Sequence, residues 1–172
     1  MERSVDENKD RGLCMDAPVE TQQEPQQEPW FSDGLRFKCT GCGKCCTGSP
    51  GYVFLSNQDL DNLSNHFHLT REEFTKKYTR YIDGQYALLD KPDNYDCIFL
   101  KDKQCTAYEA RPIQCRTFPW WVYHLRDPKD WEEASKRCEG INHPEAEIVP
   151  SLHIQEQCVT YLDNLLDQNF DF

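Results

Sequence analysis

The spacing of apolar and polar residues between positions 56 and 82 predicts two helices. Ser56 is placed to cap the first helix, whose apolar face consists of Leu60, Leu63 and Phe67. Thr70 and Glu73 form the T-x-x-E capping box of the second helix. Four residues follow at helical spacing, and we expect them to pack in the core: Phe74, Tyr78, Tyr81 and Ile82.

After Asp83-Gly84 the pattern changes to short apolar segments. Residues 85–90 and 96–100 are predicted strands, separated by the polar residues 91–94. Residues 97–105 have the pattern of a strand, a polar turn and a return. Such a turn would bring Cys97 and Cys105 close together.

Two more helices are predicted in the second half of the chain. Asp127 and Pro128 suit the N-cap and first residue of a helix that ends near residues 138–140. The last helix is predicted to begin near Ser151 and to contain Cys158. Its predicted apolar face consists of Val159, Leu162, Leu165 and Leu166. The elements together predict an α+β fold, a small single domain with short helices and a minor β-hairpin, organised around cysteine–metal sites.

Composition divides the 172-residue chain into a tail and a domain. Residues 1–29 are predicted to be a disordered acidic tail, because their Gln-, Glu- and Pro-rich stretch contains almost no apolar residues. Trp30 and Phe31 mark the predicted start of the metal-binding domain, which covers residues 30–172. A chain of this length suits one such domain.

The net charge of -11 disfavours some partners and compartments. An acidic chain is repelled by phosphate backbones and anionic lipids, so we expect neither a nucleic-acid nor a membrane partner. No apolar run reaches the roughly 18 residues that span a bilayer. The N-terminus also lacks the apolar region of a signal peptide. We therefore expect a cytoplasmic protein.

The ten cysteines point to metal or redox chemistry, because structural disulfides are rare in the cytoplasm. Four of them form a Cys-x2-Cys-x2-Cys-Cys cluster: Cys39, Cys42, Cys45 and Cys46. Gly41 and Gly43 permit the tight turns that aim neighbouring sulfurs at one metal. The alternatives are a disulfide framework or a set of buried free thiols, and the density of the cluster among polar residues disfavours the latter.

The first three cysteines of the cluster match the first ligands of the ferredoxin run C-x2-C-x2-C. The usual fourth cysteine of that run is missing, and Cys46 follows at once, where it could serve a second site. The remaining candidate ligands are Cys97, Cys105, Cys115 and Cys138. Eight thiolates could build two four-ligand sites, or one site with spare thiols, and the sequence leaves their partition open.

The other candidate residues have weaker roles in this interpretation. Cys14 and Cys158 are not expected to be ligands. His143 is the best histidine candidate, but the histidines are interpreted as surface or core residues. Four basic residues could offset the negative charge of bound thiolates: Lys38, Lys44, Arg111 and Arg116. Trp120, Trp121 and Tyr123 beside Cys115 could shield a cluster from water, but ordinary core packing is the favoured interpretation.

The sequence contains the cluster, then Cys97, and then a segment from Cys105 to Pro119 that includes Arg-Pro-Ile-Gln-Cys-Arg-Thr-Phe-Pro. This combination resembles the YkgJ-like cysteine-cluster family. The resemblance covers residues 35–141 and implies a zinc- or iron-chelating domain. It also implies the ligand set Cys39, Cys42, Cys45, Cys46, Cys97, Cys105, Cys115 and Cys138. Flagellin lysine methylases carry a similar cluster, thought to hold iron and sulfur. One departure is Glu139, where family members often have proline.

Three functions are compatible with this reading. The first is a noncatalytic metal module, with an iron–sulfur cluster favoured over zinc at one or two sites, and with a possible protein partner. The second is an enzyme of the protein methyltransferase or redox type, although no GxGxxG, P-loop or HExxH motif is present. The third is a zinc- or iron-handling protein.

Overall fold

The first two helices begin where the sequence predicts. The structure, a computed structural model, describes residues 28–48 and 51–167, so Cys14 and residues 1–27 of the predicted tail lie outside it. Helix α1 (Asn57–His66) and helix α2 (Arg71–Tyr78) each start with a complete capping box. A capping box satisfies backbone N–H groups that the first helical turn leaves without partners. The predicted starts of both helices are confirmed.

Strand β2 (Thr79–Ile82) replaces the helical continuation predicted from the spacing of Tyr81 and Ile82. It pairs antiparallel with β3 (Gln85–Leu88). The connecting Asp83-Gly84 turn has φ angles of 49° and 88°, as in the two-residue turns that join hairpin strands. Tyr81 therefore lies on a strand, and it is 65% exposed. The prediction of Tyr81 as a helical core residue was wrong.

The segment around Cys97 folds into a second hairpin, shorter than predicted. Strand β4 (Leu100–Lys101) pairs with β5 (Gln104–Cys105), and the turn residues Asp102 and Lys103 both have positive φ. The predicted strand, turn and return are confirmed, but residues 96–99 lie before the strand. The first and last strands, β1 (Leu35–Arg36) and β6 (Ile148–Val149), also pair antiparallel.

Two short helices precede the second predicted pair: α3 (Ile113–Arg116) and α4 (Val122–Leu125). Helix α5 (Pro128–Ser135) begins as predicted, with the Asp127 carboxylate accepting the Lys129 N–H over 2.8 Å. It ends before the predicted residues 138–140, so the prediction of its C-terminus was wrong.

Helix α6 (Ser151–Asp167) starts as predicted, but it buries a different face. Val159 is 54% exposed and Leu162 is 39% exposed, whereas Ile154 and Tyr161 are buried. The predicted face was wrong because it follows leucine and valine positions, while the packed face also includes an aromatic residue. None of the helices in the described ranges is long and apolar enough to cross a membrane.

Two clusters of buried side chains form the interior. The first lies around α1, α2 and the hairpins, and its buried residues are Leu55, Leu60, Leu63, Phe74, Leu88, Phe99 and Ala107. The second lies around α4, α5 and α6, and its buried residues are Phe31, Trp120, Leu125, Trp131, Ile141 and Ile154. The predicted small α+β architecture is confirmed, and the functional candidates lie between these two cores.

Candidate metal centre

All eight candidate cysteines line one cavity of about 560 Å3. Its wall also contains Leu88 and Phe99 from the first core, and Phe37, which packs against the second. The cavity therefore lies where the two cores meet. The cysteines that surround it are Cys39, Cys42, Cys45, Cys46, Cys97, Cys105, Cys115 and Cys138.

The cysteine-rich loop is shaped by a glycine that packs against the second hairpin. Gly43 has a φ of 74°, and a Cβ atom there would lie 2.8 Å from the carbonyl oxygen of Lys103. Only glycine suits both the left-handed conformation and this close approach. A short 3-10 turn, Lys44–Cys46, follows and presents the last two cysteines of the loop. Their sulfur atoms are 3.8 Å apart.

Backbone hydrogen bonds bring the downstream cysteines of the second hairpin to this loop. The N–H of Cys97 donates to the carbonyl of Cys46 over 2.8 Å. The carbonyl of Cys97 in turn accepts the N–H of Leu100, which is paired with Cys105 in the register of β4 and β5. The hairpin thus places Cys97 and Cys105 on the same cavity wall.

Helix α3 carries Cys115 and is fixed by two side chains whose roles the sequence analysis missed. The buried carboxylate of Asp59 accepts the backbone N–H of Ile113 over 3.0 Å. The side-chain amide of Gln114 accepts the N–H of Phe54 and donates to the carbonyl of Tyr52, over 3.2 Å and 3.0 Å. The sequence analysis named Ser56 as the cap of α1 but gave Asp59 no role, and the partner of Asp59 lies far away in the chain.

The segment containing Cys138 lies against the start of the cysteine loop. The N–H of Lys38 donates to the carbonyl of Gly140 over 3.0 Å. A Cβ atom on Gly140 would lie 2.3 Å from the carbonyl oxygen of Lys38, so only glycine fits here. Glu139, the residue that departs from the family pattern, accepts hydrogen bonds from Thr40 over 2.9 Å and from Lys44 over 3.0 Å.

The thiols differ in how readily they lose a proton. A hydrogen bond from Cys46 lowers the pKa of Cys45 to about 7. The same hydrogen bond, together with burial, raises the pKa of Cys46. Burial, followed by the charge of other thiolates, raises the pKa of Cys97 to about 11 and raises that of Cys115. A bound cation would offset these costs, so metal binding would release protons.

Arg111 supplies positive charge at the cavity wall, and Arg116 does not. The Arg111 guanidinium lies 3.5 Å from the centre of the Tyr108 ring, and its Nε donates to the Tyr108 carbonyl over 2.8 Å. Arg111 lines the cavity, whereas Arg116 is exposed and is not part of the cavity wall. Of the aromatic residues 120–123, Trp121 lines the cavity, and Trp120 packs in the second core.

The donor chemistry of the cavity fits zinc or an iron–sulfur cluster, because thiolates are the ligands that both prefer. None of the described histidines lines it, and Cys158 lies on α6 outside it. Within the part of the chain that the structure describes, no three His, Cys, Asp or Glu side chains form a group that could hold one metal ion.

A small α+β domain with eight thiols around one cavity is a cysteine-cluster domain. The chain belongs to the CxxCxxCC family, described as a "putative zinc- or iron-chelating domain", which matches residues 38–139. The resemblance drawn from the sequence is thereby confirmed at the level of the family. An uncharacterized protein of Methanocaldococcus jannaschii is 31% identical over 94 residues, which are 54% of this chain and 49% of that protein. The chain thus matches about half the length of this relative. No solved structure matches the chain.

Proposed function

We propose that this protein is a metal-binding module that holds an iron–sulfur cluster, in preference to zinc, through the eight cysteines of the cavity. The observation that carries the proposal is the convergence of all eight on one cavity of about 560 Å3. They come from separate elements: the loop, the second hairpin, α3 and the segment after α5. Thiols brought together from distant positions are typical of metal sites in reducing compartments.

The size of the cavity favours a cluster over one zinc ion. A sphere with the roughly 2.3 Å zinc–sulfur radius encloses only about 50 Å3. The cavity of about 560 Å3 is far larger, and it falls in the range of roughly 300–1,000 Å3 that is usual for small-molecule pockets. A cluster of several iron and sulfide atoms fills such a space better than a lone ion.

The state of the thiols supports a cytoplasmic location. All nine cysteines among the described residues are free. Free thiols persist where glutathione and thioredoxin keep them reduced. We therefore place the proposed metal module in the cytoplasm, with a protein as its possible partner.

The test is the content of metal and acid-labile sulfide in the full chain purified without oxygen. Iron with an equal amount of sulfide, and a visible absorption band, is the expected result. Zinc without sulfide would contradict the iron–sulfur assignment while preserving metal binding, and absence of bound metal would contradict both. Cys158→Ser is the matched control, because this thiol lies outside the cavity and its loss should leave the metal content unchanged.

Metal handling is the second candidate, and the exposure of Cys39 and Cys45 favours it. Ligands at the surface can be reached by the thiols of a partner, so metal could pass by ligand exchange. The measurement is the rate at which a chelator withdraws metal from the loaded chain. Complete withdrawal within minutes would favour handling, and retention over hours would favour a resident centre.

A further inference from the structure

Helix α6 has apolar residues on two opposite faces. On its inner face, Ile154 and Tyr161 are buried. On its outer face, Leu152 is 69% exposed, and Val159 and Leu162 are exposed as well. A helix that is apolar on both faces is usually covered on both, because exposed apolar surface is costly in water. The outer face of α6 is therefore a candidate contact surface.

The three exposed residues form one stripe along the helix, which we call the α6 stripe. Val159 follows Leu152 by seven residues and Leu162 follows Val159 by three, which is the spacing of a seam between two helices. At 3.6 residues per turn, the three side chains lie within roughly 80° of the helix circumference. None of them lines the cysteine cavity. The α6 stripe is therefore separate from the candidate metal centre, and its role does not depend on the proposed function.

Carboxylates follow one edge of the α6 stripe. Glu156 and Asp163 are both exposed, and helical spacing places them within roughly 60° of Val159. The Glu156 carboxylate lies 3.6 Å from Nδ1 of His153, but the sequence of α6 contains no lysine or arginine. This acidic edge complements a surface that carries lysine or arginine side chains.

Charge also decides between the possible occupants of the stripe. A second copy has the same net charge of -11, and an antiparallel pair about a two-fold axis would set the acidic edge of one α6 against that of the other. Residues 1–27 are acidic too, with seven Asp or Glu against three Lys or Arg. Helices that lie on anionic lipid usually have lysine and arginine beside their apolar face, which α6 lacks.

We propose that the outer face of α6 docks an amphipathic helix of another protein. Aliphatic side chains of that helix contact the α6 stripe, and its lysine or arginine side chains lie against Glu156 and Asp163. Recognition of this kind uses apolar anchors at helical spacing on both partners. Since the stripe has three anchors, the contact is small, and we expect a reversible complex with a dissociation constant on the order of 10–100 μM.

The test uses the full chain, purified without oxygen, and two synthetic amphipathic peptides of equal length. Both peptides have the same leucine stripe at heptad spacing, flanked by lysines in one and by glutamates in the other. Fluorescence anisotropy at physiological salt should show that the lysine peptide binds at least about 10-fold more tightly. In ¹⁵N-labelled chain, its addition should shift the amide signals of residues 151–165 more than those of other residues. Equal affinities, no binding, or shifts centred elsewhere would overturn the proposal.

Two variants separate the stripe from the acidic edge. Val159→Gln/Leu162→Gln should weaken binding of the lysine peptide at least about 10-fold, whereas Tyr81→Gln, at an exposed aromatic residue on β2, should leave it unchanged. An unchanged affinity in the α6 variant would overturn the proposal. Because the replaced side chains are exposed, the helical circular dichroism should stay the same.

The acidic edge is tested by Glu156→Gln/Asp163→Asn. This variant should reduce the preference for the lysine peptide over the glutamate peptide. The control Glu72→Gln/Asp93→Asn removes the same charge from two exposed side chains outside α6, and it should keep the preference. Equal effects of the two double variants would mean that only net charge matters, and would overturn the assigned edge.

Two further measurements address the other occupants. Sedimentation of the unsubstituted chain should show a monomer, and a dimer that Val159→Gln/Leu162→Gln dissociates would overturn the proposal in favour of a second copy. Vesicles of phosphatidylcholine and phosphatidylserine should not retain the chain. Retention that the same variant abolishes would overturn the proposal in favour of a lipid surface.

Discussion

The buried carboxylate of Asp59 joins the first turn of α1 to the backbone of Ile113 at the start of α3. One oxygen accepts the Ile113 N–H over 3.0 Å, and the other accepts both the N–H and the hydroxyl of Ser56. Cys115 follows two residues after Ile113. The side chain that completes the capping box of α1 therefore also fixes the backbone 54 residues further along the chain, two residues before a candidate metal ligand.

Replacing Asp59 by asparagine should destabilise the fold. An amide nitrogen cannot accept the hydrogen bonds that one carboxylate oxygen accepts now, and lost hydrogen bonds to a buried charged group cost about 2–3 kcal/mol. Urea unfolding measures the change in the free energy of unfolding. Asp61→Asn, on an exposed side chain of the same helix, is the control and should change it little. Equal effects of the two changes would contradict the role of Asp59.

The substitutions Phe74→Ala and Tyr81→Ala test whether Tyr81 lies on an exposed strand, as observed, or on the buried face of a helix, as the spacing predicted. Phe74 is fully buried in the first core, so its truncation should cost about 3–5 kcal/mol of the free energy of unfolding. Tyr81 is 65% exposed on β2, so its truncation should cost less than about 1 kcal/mol. Thermal or urea unfolding gives both values. A large loss for Tyr81→Ala would show that it packs on the helical face after all.

Arg111→Gln should weaken metal binding, because the guanidinium is the arginine charge that faces the thiolates. Loss of a residue that supports metal ligands typically lowers metal affinity about 10- to 100-fold. Competition with a coloured chelator measures the affinity. Arg116→Gln is the matched control, since Arg116 is exposed away from the cavity, and it should leave the affinity unchanged. Similar losses in both variants would mean that general charge, not position, matters.

In the metal-free, reduced chain at pH 7, Cys45 should react with iodoacetamide faster than Cys97. Thiolates are the reactive form, and the pKa of Cys45 is lowered to about 7, while that of Cys97 is raised to about 11. Alkylation of Cys45 should rise as the pH passes through 7 and then level off, whereas that of Cys97 should keep rising above pH 9. Mass spectrometry of timed digests measures both rates. In Cys46→Ala the pH dependence of Cys45 should shift upward, because its hydrogen-bond donor is gone.

The sequence predicts local features of this fold better than long-range ones. The cap at Ser56 and the capping box at Thr70 could be predicted because each depends on residues close together in the chain. The switch to a strand after Tyr78 was missed, because Tyr81 and Ile82 also fit helical spacing. The sequence analysis took Asp83-Gly84 only as the point where the pattern changes, and it did not predict the hairpin that pairs the residues on either side.

The candidate site shows the same limit. The eight cysteines could be named from their spacing and family resemblance, and the structure gathers all of them at one cavity. Arg111 and Arg116 could not be distinguished, because only the direction of α3 relative to the cavity separates them. Asp59 and Gln114 act across more than 50 residues of chain, and no local pattern reports such contacts.

The cavity takes its walls from both hydrophobic cores. A metal centre bound there would connect the two cores. A filled centre would make the two cores melt as one cooperative body, whereas an empty one would let each melt at its own temperature. The shape of the melting curve would then report the loading state of the chain. In a cell, proteases would cleave the empty form more readily, because it would unfold locally more often than the loaded form. The lifetime of the protein would then depend on the supply of metal.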